Sequence, residues 1–100
     1  NSRAFNITNL TYQDSVTQQN PPTLTIEFKM GDFHKSQFAC YVSSVGQADL
    51  KWITKNTVEI TSPKVLNKGR SRFNCTAPSI SSPGDYFWFS QPWVIEASKP

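Results

Sequence analysis

The chain has 100 residues, a formal net charge of +3, two cysteines and one histidine. A chain of this length forms one domain with its own core, so we expect a single domain over residues 1–100. It has no run of about 18 apolar residues, so we expect no membrane span. No secretory signal segment is recognisable, and we expect the chain to be a mature form.

Alternation of apolar and polar side chains recurs along the chain, whereas helical periodicity is nearly missing. A first strand is predicted at 5–12, with a change of phase near Asn9 of the kind that a β-bulge gives. After a polar loop at 14–22, the clearest strand follows at 23–30, where Leu24, Ile26, Phe28 and Met30 share one face. Further strands are predicted at 36–43, 50–54, 57–61, 71–77, 86–89 and 93–95, with a bend or bulge at Gln91-Pro92. We therefore expect an all-β fold, an antiparallel sandwich or a small barrel of seven or eight strands.

Each cysteine lies two residues after a phenylalanine, in Phe38-Ala39-Cys40 and Phe73-Asn74-Cys75. Because side chains alternate along a strand, each sulfur points with a ring into the core. We predict one disulfide between Cys40 and Cys75 that joins two layers of sheet and stabilises the fold by about 4 kcal/mol. Disulfides persist in oxidising compartments, so we expect a secreted, extracellular protein. The alternative is a pair of buried thiols in a cytosolic protein.

Three N-x-[ST] sequons agree with secretion, at Asn6, Asn9 and Asn74. Asparagine in this pattern accepts N-linked glycans in secreted proteins. Alternation turns Asn74 outward between Phe73 and Cys75, which makes it an accessible candidate. These three residues are the predicted glycosylation sites.

An aromatic group near the C-terminus is the first candidate binding surface. A strand with rings on both faces is either covered on both sides or presents an exposed aromatic patch, as binding and subunit interfaces do. We keep both interpretations, and on the second we expect a homo-oligomer. The residues of this candidate interface are Tyr86, Phe87, Trp88, Phe89 and Trp93.

A basic group is the second candidate binding surface, with Lys64, Lys68, Arg70 and Arg72 around a turn predicted at 67–69. A basic loop tip can contact phosphate, anionic lipid or acidic glycans, although such loops are also common as solvated surface. The group lacks the interleaved rings of a single-strand nucleic-acid platform, so we expect no nucleic-acid partner.

Catalytic and metal-binding patterns are weak. Asp32, His34 and Ser36 lie too close along the chain for the converging geometry of a catalytic triad. The carboxylates are dispersed singly, and two cysteines with one histidine do not make a zinc site. We expect a protein that is not an enzyme and that binds no metal and no cofactor.

Two family resemblances follow from these residues. The order Cys40, Trp52, Cys75, with Phe73-Asn74-Cys75-Thr76-Ala77, resembles immunoglobulin-like domains. The opening Phe5-Asn6-Ile7-Thr8-Asn9-Leu10-Thr11, followed by Thr23 to Lys29 and Phe38-Ala39-Cys40, resembles small secreted fungal β-barrel proteins of the Alternaria major-allergen type. That group includes elicitors of the hypersensitive response.

The fungal resemblance implies a compact, frequently dimeric β-protein that is secreted by a fungus and perceived by plants. On this interpretation the chain is an effector or elicitor that binds an unidentified host protein or glycan receptor and triggers defence responses. The alternative is an immunoglobulin-like extracellular adhesion or receptor module.

Overall fold

Two β-sheets pack face to face in the computed structural model, which describes residues 1–12, 22–29, 31–43, 45–63 and 68–95. The only helical turn in these ranges is a 3-10 turn at Lys35–Gln37, and no helix in them is long and apolar enough to cross a membrane. The all-β prediction is confirmed, and the structure is a sandwich. Its strands are β1 (Ser2–Ala4), β2 (Ile7–Tyr12), β3 (Thr23–Phe28), β4 (Ala39–Val42), β5 (Gly46–Gln47), β6 (Asp49–Thr54), β7 (Thr57–Thr61), β8 (Gly69–Pro78) and β9 (Tyr86–Ile95).

One sheet has five strands in the order β1-β9-β8-β4-β5, and the other has four in the order β2-β3-β7-β6. The pairs are antiparallel except for β1 with β9, which is parallel. The connectivity is that of an immunoglobulin-like sandwich, because β2, β3, β7 and β6 take the places of strands A, B, E and D. β4, β8 and β9 take the places of strands C, F and G.

The alternation read from the sequence is confirmed where the structure describes it. Leu24, Ile26 and Phe28 are buried on β3, as are Val58 and Ile60 on β7. The phase change near Asn9 is also confirmed, since the register of β2 against β3 shifts between Ile7 and Asn9. Met30 and most of the loop predicted at 14–22 lie outside the described residues.

One end of the sandwich is filled by rings, which we call the phenylalanine cluster: Phe5, Phe28, Phe33, Phe38 and Phe87. Phe5 lies where the chain crosses from β1 in one sheet to β2 in the other. Its backbone N–H donates to the carbonyl of Trp88 at 3.0 Å, and its ring lies 5.0 Å from Phe33 and 5.1 Å from Phe28, centroid to centroid. The crossing segment is therefore held by the core.

The disulfide is present, but the prediction that it joins the two sheets is wrong. Cys40 on β4 and Cys75 on β8 are directly opposite each other in neighbouring strands of the five-stranded sheet, with Cα atoms 4.0 Å apart. The carbonyl of Cys40 accepts from Ala48 N–H on its other side, so the two cysteines form a non-hydrogen-bonded pair, where side chains come closest. Both are fully buried, as the sequence pattern indicated.

The last strand also differs from the prediction. β9 runs against β8 from Tyr86 to Ile95 without a register shift, so there is no β-bulge at Gln91-Pro92, where the sequence predicted a bend or a bulge. The carbonyl of Arg72, the register partner of Pro92, accepts from the N–H of Ser43, the residue after β4, and therefore points away from β9. Because Arg72 and Pro92 form a non-hydrogen-bonded pair, Pro92 needs no donor toward β8, and the strand continues.

The described residues contain nine strands, where the sequence predicted seven or eight. β1 lies before the predicted first strand and is additional, as is the two-residue β5, and the two predicted C-terminal strands are joined as β9.

Candidate functional site

The outward side of the five-stranded sheet, which we call the outer face, is the surface where the predicted binding residues meet. β8 runs along its middle, with β9 and β4 on either side. Side chains of even-numbered residues on β8 and β9 stand on this face, because odd-numbered residues such as Phe73 and Cys75 are buried in the core. Successive cross-strand rows are Trp88–Thr76–Ala39, Ser90–Asn74–Tyr41, Pro92–Arg72 and Val94–Arg70.

Three aromatic side chains are exposed on the outer face. The exposed fractions are 46% for Tyr86, 43% for Trp88 and 52% for Tyr41. Trp88 and Tyr41 belong to β9 and β4, two strand spacings apart across β8, which is roughly 10 Å. Large rings exposed together on a regular surface are typical of recognition sites.

The predicted aromatic interface is therefore smaller than the sequence indicated. Phe87 stacks on Phe5 with centroids 5.7 Å apart, and Trp93 is buried against Phe73 at 4.6 Å. Phe89 is half-buried and packs against the same core. These three side chains point inward, so Tyr86 and Trp88 remain as the exposed part of the group.

The basic group also lies differently from the prediction. Arg70 and Arg72 are exposed residues of β8, on the outer face, and do not belong to a loop tip. Lys68 is exposed and immediately precedes the strand, whereas Lys64 and Asn67 lie outside the described residues. The basic and aromatic groups, treated separately in the sequence, therefore share one surface.

An open groove of about 460 Å³ runs along the outer face beside the two arginines. Its walls include the side chains of Arg70 and Arg72 on one strand and Pro92 and Val94 on the next. Val94 is 66% exposed, which makes it the most exposed large apolar side chain in the described residues. The groove thus joins apolar contact area to positive charge.

No acidic side chain stands on the outer face among the described residues. The carboxylates of Glu27 and Glu59 are on the outward side of the four-stranded sheet, where Glu59 is opposite Lys51. Threonines at 11, 23, 25, 57 and 61 stand on the same surface. In the residues that the structure describes, the two outward sides therefore differ in charge and in aromatic content, and only the first combines exposed rings with unbalanced positive charge.

Sequence reasoning missed Tyr41 and Val94. Tyr41 lies between the inward-facing Cys40 and Val42, so the alternation that buries the cysteine could have placed this ring outward. Its position on the same face as Trp88 depends on β4 and β9 both pairing with β8. The sequence does not show that pairing.

The predicted glycosylation sites are all exposed. Asn74 stands in the middle of the outer face, between Tyr41 and Ser90. Asn9 is on β2 beside Glu27, and Asn6 is in the crossing segment. A glycan on Asn74 would cover the outer face, whereas glycans on the other two residues would leave it open.

Residues near the single histidine are structural. The carboxylate of Asp32 accepts hydrogen bonds from the hydroxyl and the backbone N–H of Ser81 and from the hydroxyl of Ser79. These bonds, the Ser81 hydroxyl first, lower the pKa of Asp32 below its ordinary value and fasten the loop that precedes β4 to the loop before β9. In the described part of the chain, no group of three or more histidine, cysteine or acidic side chains converges as a metal site.

Comparison with known proteins extends the description of the fold. No protein-family model and no curated protein matches the sequence. The structure is similar to the crystal structure of CopC from Methylosinus trichosporium OB3b, with a TM-score of 0.62 over 96% of this chain and 97% of that chain. The two sequences are 12% identical, so the likeness shows a shared fold alone.

Proposed function

We propose that this chain is an extracellular recognition protein that binds its partner through the outer face of the five-stranded sheet. The observation that supports this proposal most directly is that Trp88, Tyr86 and Tyr41 are exposed on the same sheet surface as Arg70 and Arg72. Tryptophan, tyrosine and arginine are the residue types that dominate binding energy at protein interfaces. A sheet presents them in fixed positions, so little conformational entropy is lost on binding.

Secretion is part of the proposal. The Cys40–Cys75 disulfide is of a kind that persists outside the reducing cytosol. The exposure of Asn6, Asn9 and Asn74 is compatible with glycosylation during secretion.

The form of recognition that we propose is perception by plants, as the resemblance to small secreted fungal proteins implies. On this proposal the chain acts as an elicitor or effector and its receptor is a host protein or glycan. The residues that carry the resemblance, from Phe5 to Thr11 and from Thr23 to Lys29, form the crossing segment, β2 and β3. They would support the fold, while the outer face makes the contact.

The experiment is infiltration of purified, oxidised protein, made without N-linked glycans, into leaves of several plant hosts. Wild type is compared with a reduced and alkylated sample, with Trp88→Ala, and with Ile53→Ala, whose side chain is 54% exposed on the other sheet. We expect wild type and Ile53→Ala to give the same oxidative burst. Loss of a central aromatic contact should raise the half-maximal concentration of Trp88→Ala about tenfold.

Two results would contradict the proposal in different ways. Absence of a response in every host would refute the elicitor activity. An unchanged response from Trp88→Ala, with a melting temperature equal to that of wild type, would refute the role of the outer face.

A second candidate function is an immunoglobulin-like adhesion or receptor module, and the strand order favours it. In this case the outer face would bind another surface protein or a second copy of the chain. Sedimentation of the purified protein over a range of concentrations tests self-association. A dimer that dissociates in Trp88→Ala would support the module, and a monomer at all concentrations would count against homophilic adhesion.

A further inference from the structure

We infer that the outer face binds an acidic polysaccharide whose sugar units bear carboxylates, a polyuronate. The two arginines would bind uronate carboxylates, and the exposed rings would stack against sugar faces. This inference rests on the proposed function, because it names the class of ligand for the same surface. It is carried by the placement of charge, rings and hydrogen-bonding groups along β8 and its neighbours.

No acidic side chain in the described residues balances the positive charge on this face. Arg70 and Arg72 are exposed, two residues apart on one strand and therefore about 7 Å apart along it. Neither forms an ion pair within the ranges that the structure describes. The planar guanidinium group binds a carboxylate through two parallel hydrogen bonds, so two arginines in this arrangement suit successive carboxylates on an extended chain.

Rings and polar groups continue the same strip. Trp88 and Tyr41 flank Thr76 and Asn74, so a sugar chain lying along β8 would meet a ring on either side and polar side chains beneath.

A second copy of the chain fits this face less well than a polyanion does. A two-fold dimer brings the same patch of both copies together, so Arg70 and Arg72 would be buried against a surface whose described residues include no acidic side chain. Burying a charge without a partner is strongly unfavourable. An external ligand that brings its own carboxylates removes this cost.

The experiment is titration of the oxidised, non-glycosylated protein with polygalacturonate, with its fully methyl-esterified form as the matched ligand control. The esterified polymer keeps the sugars and loses the charge. We expect binding to polygalacturonate and at least about tenfold weaker binding to the ester, since charge-assisted bonds to the carboxylates are lost.

Variants locate the contact. The double variant Arg70→Gln, Arg72→Gln should weaken binding about tenfold or more. The double variant Arg70→Lys, Arg72→Lys should bind more tightly than the glutamine variant but less tightly than wild type, because lysine keeps the charge but not the planar fork. Lys51→Gln with Lys55→Gln removes the same charge from the β6–β7 hairpin of the other sheet and should change affinity by less than about twofold. Melting temperatures of all variants establish that each is folded.

Several results would overturn the inference. A dedicated uronate site would be excluded if the esterified polymer bound as tightly as polygalacturonate, or if heparin bound more tightly. It would also be excluded if the Lys51→Gln, Lys55→Gln control lost as much affinity as the arginine variants. Sedimentation that shows a dimer dependent on Trp88 would assign the face to a second copy. If polygalacturonate does not bind but Trp88→Ala still loses the plant response, the inference fails and the proposed function stands.

Discussion

Phe5→Ala should be among the most damaging single substitutions in this chain, because Phe5 joins the two sheets where the chain crosses between them. The side chain is 6% exposed, and its ring lies 5.0–5.7 Å from Phe33, Phe28, Phe38 and Phe87. Phenylalanine-to-alanine changes in cores cost about 3–5 kcal/mol. For a domain of this size about 4 kcal/mol lowers the melting temperature by roughly 15–30 °C.

Thermal and denaturant unfolding followed by circular dichroism measures this loss. Ile53→Ala is the control, since its side chain is 54% exposed and its loss should cost less than about 0.5 kcal/mol. Phe5→Leu, which keeps apolar volume but not the ring contacts, should fall between the two. A loss below about 1 kcal/mol in Phe5→Ala would refute the view that the crossing segment is held by the phenylalanine cluster.

Three further predictions concern the covalent link, one charged group and the outer face. Replacing Cys40 and Cys75 together by alanine should lower the free energy of unfolding by about 4 kcal/mol, since the disulfide closes an interval of 35 residues. A melting temperature of the wild type that reductant does not change would contradict this. Asp32→Asn should destabilise the protein near neutral pH but not in acid. The lowered pKa of Asp32 gives stability that is present above the unfolded-state value of about 3.9 and is lost as pH falls through the folded-state pKa. The melting temperatures of variant and wild type should therefore converge as the pH is lowered, and a difference that stays constant with pH would be inconsistent with this role. Occupation of Asn74 by an N-linked glycan should abolish binding through the outer face, and Asn74→Gln made in the same glycosylating host should restore it; equal binding of both forms would show that this surface is not the contact.

Local sequence pattern predicted much of the architecture. Alternation on β3, β7 and β8 identified the buried residues because a strand with one face in the core imposes a period of two. The bulge near Asn9 was predicted for the same reason, since a change of phase in the apolar pattern has to be absorbed by an extra residue.

The pairing of strands could not be read from the sequence. The pattern at Cys40 and Cys75 indicates that both sulfurs are buried, but it does not indicate whether their strands lie in one sheet or in two. The order Cys40, Trp52, Cys75 likewise does not say where Trp52 lies, and the structure places it on β6, an edge strand of the other sheet. Each result depends on contacts between residues distant in sequence.

The candidate site was predicted in parts. Trp88, Tyr86, Arg70 and Arg72 were identified by residue type, whereas their meeting on one surface depends on the register of β8 against β9. Tyr41 joins them only through the pairing of β4 with β8. The effect of Pro92 on the strand could not be predicted, because the register decides whether the side on which proline lacks an N–H donor faces β8.

Fold alone does not decide between the candidate functions. The immunoglobulin-like strand order and the likeness to CopC describe a scaffold that hosts many unrelated activities. The outer face is therefore the part of the molecule on which the functional account depends.

The most direct test of that account places one carboxylate in the middle of the outer face. Thr76 is exposed between Trp88 and Ala39, and Thr11 is an exposed threonine on β2 in the other sheet. The measurement is the half-maximal concentration for the oxidative burst in leaves, with Thr76→Glu and Thr11→Glu compared as folded, non-glycosylated proteins. We predict that Thr76→Glu raises this concentration at least about tenfold while Thr11→Glu leaves it unchanged. Equal activity of the two variants would contradict recognition through the outer face.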